Sequence, residues 1–282
     1  MNPQPKYKIF RDLHEHAGIF IMPNPWDAGT TRILTSLGFK ALATTSAGMA
    51  HSLGLRDGTV SREQVLTHCR TIVEATDLPV SADLEKGFGD TPEDVAKTIK
   101  DAAAIGLVGC SIEDHTGQPA DPIFDINLAL ERIQAAVEAK HNLPHDFILT
   151  ARCENFLWNI PDLDDTIKRL QAFESAGADV LYAPGLYDLE IIRTVCSSVA
   201  KPVNVVMGLP GSTIGLKELA DAGVKRISVG SALSRLVYGV FVQAANEMKE
   251  HGTFTFSSDA IGFSELETHF ANFENSEDNS KP

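Results

Sequence analysis

The 282-residue sequence has fewer basic than acidic residues and no closely spaced cysteines. It contains 24 Lys and Arg against 38 Asp and Glu, a formal net charge of −14. Nucleic acids and anionic membranes are bound by clustered basic residues, so both are disfavoured as partners. The four cysteines, at 69, 110, 153 and 196, are far apart without CxxC spacing. This spacing argues against a zinc site or a disulfide framework, and we expect buried, reduced thiols.

Long hydrophobic runs are absent as well. No apolar run approaches the length needed to cross a bilayer, and the first ten residues have neither an apolar segment nor a cleavage signature. We therefore expect a cytoplasmic protein without a membrane partner. No Gly-x-Gly-x-x-Gly motif follows the first predicted strand, which weakens the case for a dinucleotide-binding fold.

What the chain does contain is a repeated alternation of β-branched apolar runs and amphipathic helical segments. A leading helix at 7–16 precedes eight strand and helix pairs. The predicted strands are 19–24, 40–46, 80–85, 108–113, 147–154, 180–183, 203–207 and 226–230. Glycines such as Gly38, Gly106 and Gly177 stand where a left-handed helix cap is needed before the next strand. The pattern predicts an α/β fold, a closed (β/α)8 TIM barrel with an extra N-terminal helix.

The barrel is expected to fill residues 1–252 as a single domain, and residues 253–282 to form a C-terminal helical extension. The end of that extension, 274–282, is polar and is expected to be disordered. The last barrel helix, 232–250, is apolar nearly all round. Such a helix needs burial, and another subunit could supply it.

Acidic residues stand near the ends of predicted strands. They occur as Arg-Asp-Gly at 56–58, Ala-Asp-Leu-Glu at 82–85 and Ile-Glu-Asp at 112–114, which we interpret as strand ends. Because the carboxyl ends of parallel strands share one rim, four or five carboxylates are expected to converge there. Oxygen ligands without His or Cys suit Mg²⁺, with Mn²⁺ as an alternative. Taken singly, each acid could equally be a turn or cap residue.

Several motifs follow one another along the chain. They are Asn-Pro-Trp-Asp-Ala at 24–28, Thr-Thr-Ser-Ala-Gly at 44–48, Leu-Gly-Leu-Arg-Asp at 53–57, Ala-Asp-Leu-Glu-Lys-Gly-Phe-Gly at 82–89, Gly-Cys-Ser-Ile-Glu-Asp at 109–114, Thr-Ala-Arg at 150–152 and Val-Lys-Arg-Ile-Ser-Val-Gly at 224–230. Together they resemble the isocitrate lyase and phosphoenolpyruvate mutase superfamily over roughly residues 10 to 245. The resemblance implies a barrel enzyme that binds Mg²⁺ and a 2-oxo or 2-hydroxy acid and acts on a C–C or P–C bond beside its carboxylate.

The same resemblance implies a metal shell that acts partly through bound waters. Its members here are four acids, Asp57, Asp83, Glu85 and Glu113. The superfamily normally has Asp where Glu85 stands, so the reach of that side chain is altered. Relatives are typically tetramers that exchange the last barrel helix, which implies a homotetramer built as a dimer of dimers.

Substrate contacts are implied as well. Thr45, Ser46 and Ala47 match the loop whose backbone amides and hydroxyl receive the substrate carboxylate. Arg152 matches the arginine on the other side of the substrate, where a bidentate pair with a carboxylate is geometrically suited to Arg. Together with Asp57, Arg152 is an expected catalytic residue, and Tyr182 or water is the expected proton source.

The segment after the fourth strand departs from the superfamily pattern. Lyases acting on isocitrate or methylisocitrate carry Lys-Lys-Cys-Gly-His there, and enzymes that handle phosphonates carry Lys and Asn. This chain has His-Thr-Gly-Gln-Pro-Ala-Asp-Pro at 115–122, and Tyr-Ala-Pro-Gly at 182–185 where the lyases place a Glu. Isocitrate cleavage and phosphoenolpyruvate mutation are therefore disfavoured. The loop 115–125 is expected to act as a lid if it is mobile.

The leading hypothesis is a Mg²⁺-dependent carbon–carbon lyase or decarboxylase that forms an enolate from a small 2-oxo or 2-hydroxy di- or tricarboxylic acid. Oxaloacetate or a methylisocitrate-like compound would be such a substrate. One alternative is a phosphonate P–C bond enzyme of the phosphoenolpyruvate mutase or phosphonopyruvate hydrolase type. Another is a non-catalytic homologue that binds small carboxylic acids.

Overall fold

The computed structural model describes residues 4–209, 211–271 and 273. Its centre is a sheet of eight parallel strands in the order β1-β8-β7-β6-β5-β4-β3-β2. The strands are β1 (Phe20–Ile21), β2 (Leu42–Ala43), β3 (Val80–Asp83), β4 (Gly109–Glu113), β5 (Ile148–Arg152), β6 (Val180–Tyr182), β7 (Val203–Val206) and β8 (Arg226–Ser228). Each strand lies within the range predicted for it, so the strand predictions are confirmed.

Helices lie between the strands and at both ends of the described chain. They are α1 (Lys6–Glu15), α2 (Ala28–Ser36), α3 (Ser46–Ser52), α4 (Arg62–Glu74), α5 (Pro92–Ala104), α6 (Ile126–His141), α7 (Leu163–Ser175), α8 (Leu189–Ser197), α9 (Leu216–Asp221), α10 (Ala232–His251) and α11 (Phe263–Thr268). Short 3₁₀ helices form at Asn155–Trp158 and Thr255–Ser258. No helix among the described residues is long and apolar enough to span a membrane.

The sheet closes on itself between β1 and β2. The Ala43 N–H donates to the Pro23 carbonyl at 3.1 Å, and the Asn24 amide donates to the Thr44 carbonyl at 2.9 Å. Helix α1 covers the end of the barrel at which the strands begin. The fully buried Phe10 packs there among residues of β1, β2, β5 and β6. The (β/α)8 prediction with a leading helix is thus confirmed.

Local sequence explains where the outer helices begin. Ser61 and Gln64 form a reciprocal capping box at the start of α4, as the spacing of these residues predicts. Thr91 does the same at α5, where Pro92 occupies the first helical position and lacks the N–H that would be unpaired there. Both helices then bury their apolar face against the barrel.

One helix was not predicted. Helix α3 fills a stretch that the sequence suggests is a long connection, and the Thr45 hydroxyl caps it by accepting from the Gly48 N–H at 3.2 Å. Thr45, Ser46 and Ala47 therefore begin a helix instead of lying in a loop. Asp57 follows α3 on a surface loop, so its interpretation as a strand end was wrong. Glycine in a seven-residue helix hides the helical pattern from sequence inspection.

Helix α10 extends away from its own barrel. Its first turn packs on α3, with Ser234 buried beside Gly48, and Tyr238 lies edge-on to His51. Further along, Leu236 and Phe241 are 63% and 68% exposed. The apolar face noted in the sequence is therefore uncovered within the described chain.

The C-terminal extension folds back onto α2. The Ser36 hydroxyl lies 2.7 Å from His269 Nδ1, and the Arg32 guanidinium stacks over the Phe273 ring. Phe263 nevertheless stays 83% exposed. The predicted disorder of 274–282 concerns residues outside those that the structure describes.

Candidate active site

Three of the predicted site residues lie side by side at the C-terminal ends of their strands. Asp83 ends β3, Glu113 ends β4 and Arg152 ends β5. Glu113 and Arg152 are direct partners in the β4–β5 register. Arg152 Nη1 lies 3.4 Å from Glu113 Oε2 and 3.6 Å from Asp83 Oδ1. One guanidinium is therefore shared by carboxylates from two strands.

The start of α3 faces Asp83. The Ser46 hydroxyl donates to Asp83 Oδ2 at 3.0 Å, and the Ser46 N–H lies 3.4 Å from the same oxygen. The Asp83 N–H in turn donates to the Thr44 hydroxyl at 3.0 Å. Thr44 and Ser46 thus contact Asp83, and the substrate contacts of Thr45, Ser46 and Ala47 stay a prediction. Backbone N–H groups at a helix start also favour negative charge nearby.

Glu85 lies just beyond β3 in an unusual backbone conformation. Its φ is +51°, a value that side chains other than Gly rarely adopt, and its carbonyl accepts from the Glu113 N–H at 3.1 Å. Burial, with added repulsion from Asp83 and Asp57, raises the pKa of Glu85 to about 7. Such backbone strain persists where surrounding contacts hold it, often at functional sites.

Two further predicted ligands, Glu113 and Asp57, also have raised pKa values. Burial raises the pKa of Glu113 well above its usual range, against the opposing effect of Arg152. Asp57 is on an exposed loop, yet its carboxyl group lies against Ser46, and desolvation followed by repulsion from Asp83 raises its pKa. Mutual repulsion of this kind is expected where carboxylates outnumber the cations among them. The structure therefore brings all four acids to one region.

This donor set fits a hard dication, because all four side chains offer oxygen ligands. Their combined negative charge also exceeds the single positive charge of Arg152. Within the described part of the chain, however, no three His, Cys, Asp or Glu side chains are close enough to hold a metal ion directly. Mg²⁺ characteristically keeps several waters and binds few carboxylates directly. The role of Asp57, Asp83, Glu85 and Glu113 as a shell acting partly through water stays a prediction.

Glu154 is a site residue that sequence reasoning missed. It is 2% exposed, and its Oε1 accepts from Arg152 Nε. Its pKa is raised by burial, against the effect of the Arg152 charge. Because it follows Arg152 by two positions, strand alternation would have placed both side chains on one face. The pair fixes the guanidinium at the rim of the barrel.

An aromatic pair forms the wall above Glu113. The His115 ring stacks on the Trp158 indole with centroids 4.0 Å apart, and His115 Nδ1 lies 3.9 Å from Glu113 Oε1. These residues belong to different loops, so no spacing in the sequence indicates the contact. A stacked imidazole therefore begins the loop that follows β4.

The loop 115–125 is tied to its surroundings. Two backbone bonds fold it into a hairpin, from Thr116 N–H to the Pro122 carbonyl and from Phe124 N–H to the Asp114 carbonyl, both at 2.8 Å. Lys86 Nζ donates to the Thr116 carbonyl at 2.7 Å and to Asp90 Oδ1 at 2.5 Å. Lys86 is therefore engaged by this loop and by Asp90. The lid role stays a prediction.

Tyr182 lies below Arg152, with the guanidinium carbon 5.1 Å from the ring centroid. Its hydroxyl is hydrogen-bonded to the Ser228 side chain, and burial raises the pKa of Tyr182 to about 12. The phenol thus faces the barrel interior, and a raised pKa makes it a weak acid. All four cysteines are unpaired, but only Cys69, Cys110 and Cys153 are buried as expected, whereas Cys196 is half-buried.

Comparison with known proteins identifies the family. A family model described as phosphoenolpyruvate phosphomutase matches residues 10–249. The chain belongs to this family, within the phosphoenolpyruvate mutase and isocitrate lyase superfamily. It is a lyase of that superfamily, as are its relatives 2-methylisocitrate lyase and 2,3-dimethylmalate lyase.

Three similarities document the relationship. 2-Methylisocitrate lyase of Escherichia coli K12 is 33% identical over 77% of this chain and 75% of its own. A Burkholderia cenocepacia J2315 protein, assigned only provisionally as a lyase/mutase, is 54% identical with a TM-score of 0.92 over 94% and 95% of the two chains. A structure of 2,3-dimethylmalate lyase is 25% identical with a TM-score of 0.80 over 89% and 87%.

Proposed function

We propose that this protein is a Mg²⁺-dependent carbon–carbon lyase or decarboxylase that acts on a small 2-oxo or 2-hydroxy di- or tricarboxylic acid through an enolate. The observation that carries the proposal is the convergence of Asp83 and Glu113 on Arg152 at the ends of three adjacent strands, with Glu85 and Asp57 close by. Excess negative charge next to a fixed guanidinium suits a cation and an organic anion bound together.

Each residue then has a separate task. Arg152, oriented by Glu154, binds one carboxylate of the substrate in a bidentate pair. The N-terminal amides of α3 at Ser46 and Ala47 receive the same acid from the opposite side. Asp57, Asp83, Glu85 and Glu113 would hold the metal, in part through water. The bound metal would stabilise the negative charge that develops on the 2-oxygen.

Protonation of the enolate is proposed to come from water. The Tyr182 hydroxyl is directed to Ser228, and its pKa of about 12 is far from the range of an efficient acid at neutral pH. The rim, unlike the surroundings of the Tyr182 hydroxyl, offers charged and polar groups that can order a water molecule. Tyr182 then serves mainly as the aromatic support under Arg152.

Two alternatives rank lower for structural reasons. A phosphonate enzyme needs cations for the phosphoryl oxygens, but 115–125 contains no Lys or Asn, and Lys86 is engaged by Thr116 and Asp90. A purely binding homologue ranks lower because the acids that would hold a metal lie beside Arg152, an arrangement suited to stabilising an enolate. 2,3-Dimethylmalate lyase and 2-methylisocitrate lyase, by their names, both cleave hydroxy acids, which favours a lyase here.

The test is a panel of acids with Mg²⁺, namely oxaloacetate, 2-methylisocitrate, 2,3-dimethylmalate and phosphonopyruvate, followed by product detection. We expect turnover of at least one of the carboxylic acids, and loss of that turnover with a chelator. Phosphate release from phosphonopyruvate without turnover of the other acids would contradict the proposal. Binding of oxalate with Mg²⁺ but no product from any acid would favour the non-catalytic alternative.

We further propose that the protein is a homotetramer in which α10 packs on a neighbouring subunit. The support is the uncovered apolar surface of α10, including Leu236, Val240 and Phe241, beyond a first turn that is anchored on α3. Because α3 carries Ser46, a partner that fixes α10 would also steady the site. The cytoplasmic location and the division at residue 252 stay predictions.

A further inference from the structure

A row of paired residues runs from the rim down into the barrel. Glu113 pairs with Arg152, Arg152 with Tyr182, Tyr182 with Asn204, and Asn204 with Arg226. The first three end their strands, whereas Asn204 is second in β7 and Arg226 is first in β8. Strand stagger in a closed barrel produces such a descent. The row therefore joins the carboxylate rim to a second arginine on the barrel floor.

Arg226 is 3% exposed and contacts only neutral side chains through its hydrogen bonds. Its Nε donates to Asn204 Oδ1 and its Nη2 to Thr150 Oγ1, both at 2.8 Å. Its Nη1 lies 3.2 Å from His14 Nε2. His14 Nδ1 is 2.7 Å from the Phe10 carbonyl, which makes Nδ1 the donor and Nε2 the acceptor for Arg226.

Other buried cations in the described chain are matched differently. Arg169 pairs with Asp114, and Lys140 pairs with Asp179. Arg132 donates to the backbone carbonyls of Lys86 and Gly89. Among the described residues, no carboxylate forms an ion pair with Arg226. An unpaired buried charge is costly, so an anion beside Arg226 would lower the free energy of the site.

A cavity connects this guanidinium to the rim. It is lined by two arginines, Arg152 and Arg226, by a single acid, Asp83, and by polar groups that include Asn204 and Ser228. Its volume of about 40 Å³ exceeds the roughly 10–15 Å³ that one water requires. The space suits a few waters or one carboxylate group. The cavity therefore continues inward from Arg152 with cations in excess.

We propose that Arg226 forms the base of a second anion subsite, which receives a further carboxylate of the acid whose reacting end is held at the rim. This inference rests on the proposed function and assigns a binding place to the second carboxylate of its substrate. Asn204 and Thr150 orient the guanidinium, and His14 holds its other edge. A monocarboxylic acid would leave the floor charge without a partner and bind less tightly.

Binding measured by calorimetry tests the subsite without turnover. Both carboxylates of oxalate are adjacent and occupy the rim, whereas malate separates its two carboxylates by two carbons, so that its second carboxylate extends away from the rim. With Mg²⁺ present, Arg226→Met should weaken malate binding at least about tenfold, the loss expected for one charged hydrogen-bonded pair, and oxalate binding less than about twofold. The control is Arg11→Met, which removes an arginine paired with Asp146 and Asp179 at the same end of the barrel.

Equal loss of both ligands, or no selective loss of malate, would overturn the proposal. If Arg226→Met does not fold, Arg226→Lys replaces it, and malate binding should again weaken more than oxalate binding, because Lys cannot form the bidentate pair with a carboxylate. Failure of oxalate to bind the wild type would defeat the proposed function separately. In that case a bromide soak decides, since anomalous density beside Arg226 supports the subsite and its absence refutes it.

Discussion

The rim and the floor of the barrel have opposite electrostatic character. At the rim, Asp83, Glu113 and Glu154 surround one guanidinium, Arg152, so negative charge is in excess. On the floor, Arg226 has neutral partners only, and its pKa is lowered by burial to about 10. Both arginines are inside one barrel and line one cavity.

The difference indicates how the cavity would hold a ligand. The rim lacks positive charge and would gain it from a dication, whereas the floor lacks negative charge and would gain it from a carboxylate. A Mg²⁺-bound diacid supplies both. Each prediction below changes one side of this comparison.

The largest effect is expected from Asp83→Ala at the rim. Asp83 accepts from Ser46 and faces Arg152, so its loss removes a predicted metal ligand and an anchor of α3 together. We expect turnover of the responding acid to fall by roughly 10³-fold, comparable to losing a main electrostatic stabiliser of the transition state. Steady-state rates check this, with the exposed Asp221→Ala as a control. A rate within about twofold of wild type would contradict the metal assignment.

A smaller loss is expected from Arg152→Lys. Lysine keeps the positive charge but cannot form the fork-shaped pair with a carboxylate. We expect kcat/KM to fall by about 10- to 100-fold, equivalent to one charge-assisted hydrogen bond. The control is the same substitution at a surface position, Arg193→Lys on α8. Unchanged kcat/KM in Arg152→Lys would show that this residue does not hold the substrate.

The pH dependence of stability tests the contact between His14 and Arg226 on the barrel floor. Burial, followed by the charges of Arg226, Arg11 and Lys225, lowers the pKa of His14 to about 3. As the pH falls below about 6.5, the unfolded chain binds a proton at this histidine and the folded chain does not, so stability declines until about pH 3. Between pH 7.5 and 5.5 this linkage removes about 1.4 kcal/mol from the free energy of unfolding.

Urea unfolding of His14→Gln checks that value. The variant should lose about 1.4 kcal/mol less than wild type over the same pH interval. The control is the exposed His16→Gln, which should follow wild type. An identical pH dependence in His14→Gln would mean that His14 is not held neutral against Arg226.

Much of the fold could be predicted from the sequence, because its determinants are local. Strand runs, the capping boxes at Ser61 and Thr91, and acids near strand ends are periodic or positional features. Helix α3 was not predicted, since seven residues containing Gly48 give no clear periodicity. For the same reason, Asp57 was interpreted as a strand end, whereas it lies on the loop after α3.

The site was only partly predictable, because some of its contacts join distant segments. Asp83, Glu113 and Arg152 follow from strand ends and resemblance. The stacking of His115 on Trp158 depends on how two loops meet, and the contact of Arg226 with His14 joins β8 to the leading helix. Neither contact has a spacing that the chain itself reveals.

The smallest effect on chemistry is expected from Phe241→Glu on α10. A charge on this exposed apolar face should prevent subunit packing, which light scattering would detect as a shift from tetramer toward monomer. Turnover should fall only several-fold, because the first turn of α10 still contacts α3. The control is Lys249→Glu near the helix end. A wild type that is monomeric at micromolar concentration would contradict the assembly.

The central claim is that one dication and one organic acid share the rim. Its most direct test is a crystal soaked with Mn²⁺ and oxalate, with the metal located by anomalous scattering. We predict a single metal peak among Asp57, Asp83, Glu85 and Glu113, with oxalate between the metal and Arg152. A metal bound elsewhere, or oxalate bound at Arg152 equally well without any metal, would contradict the account.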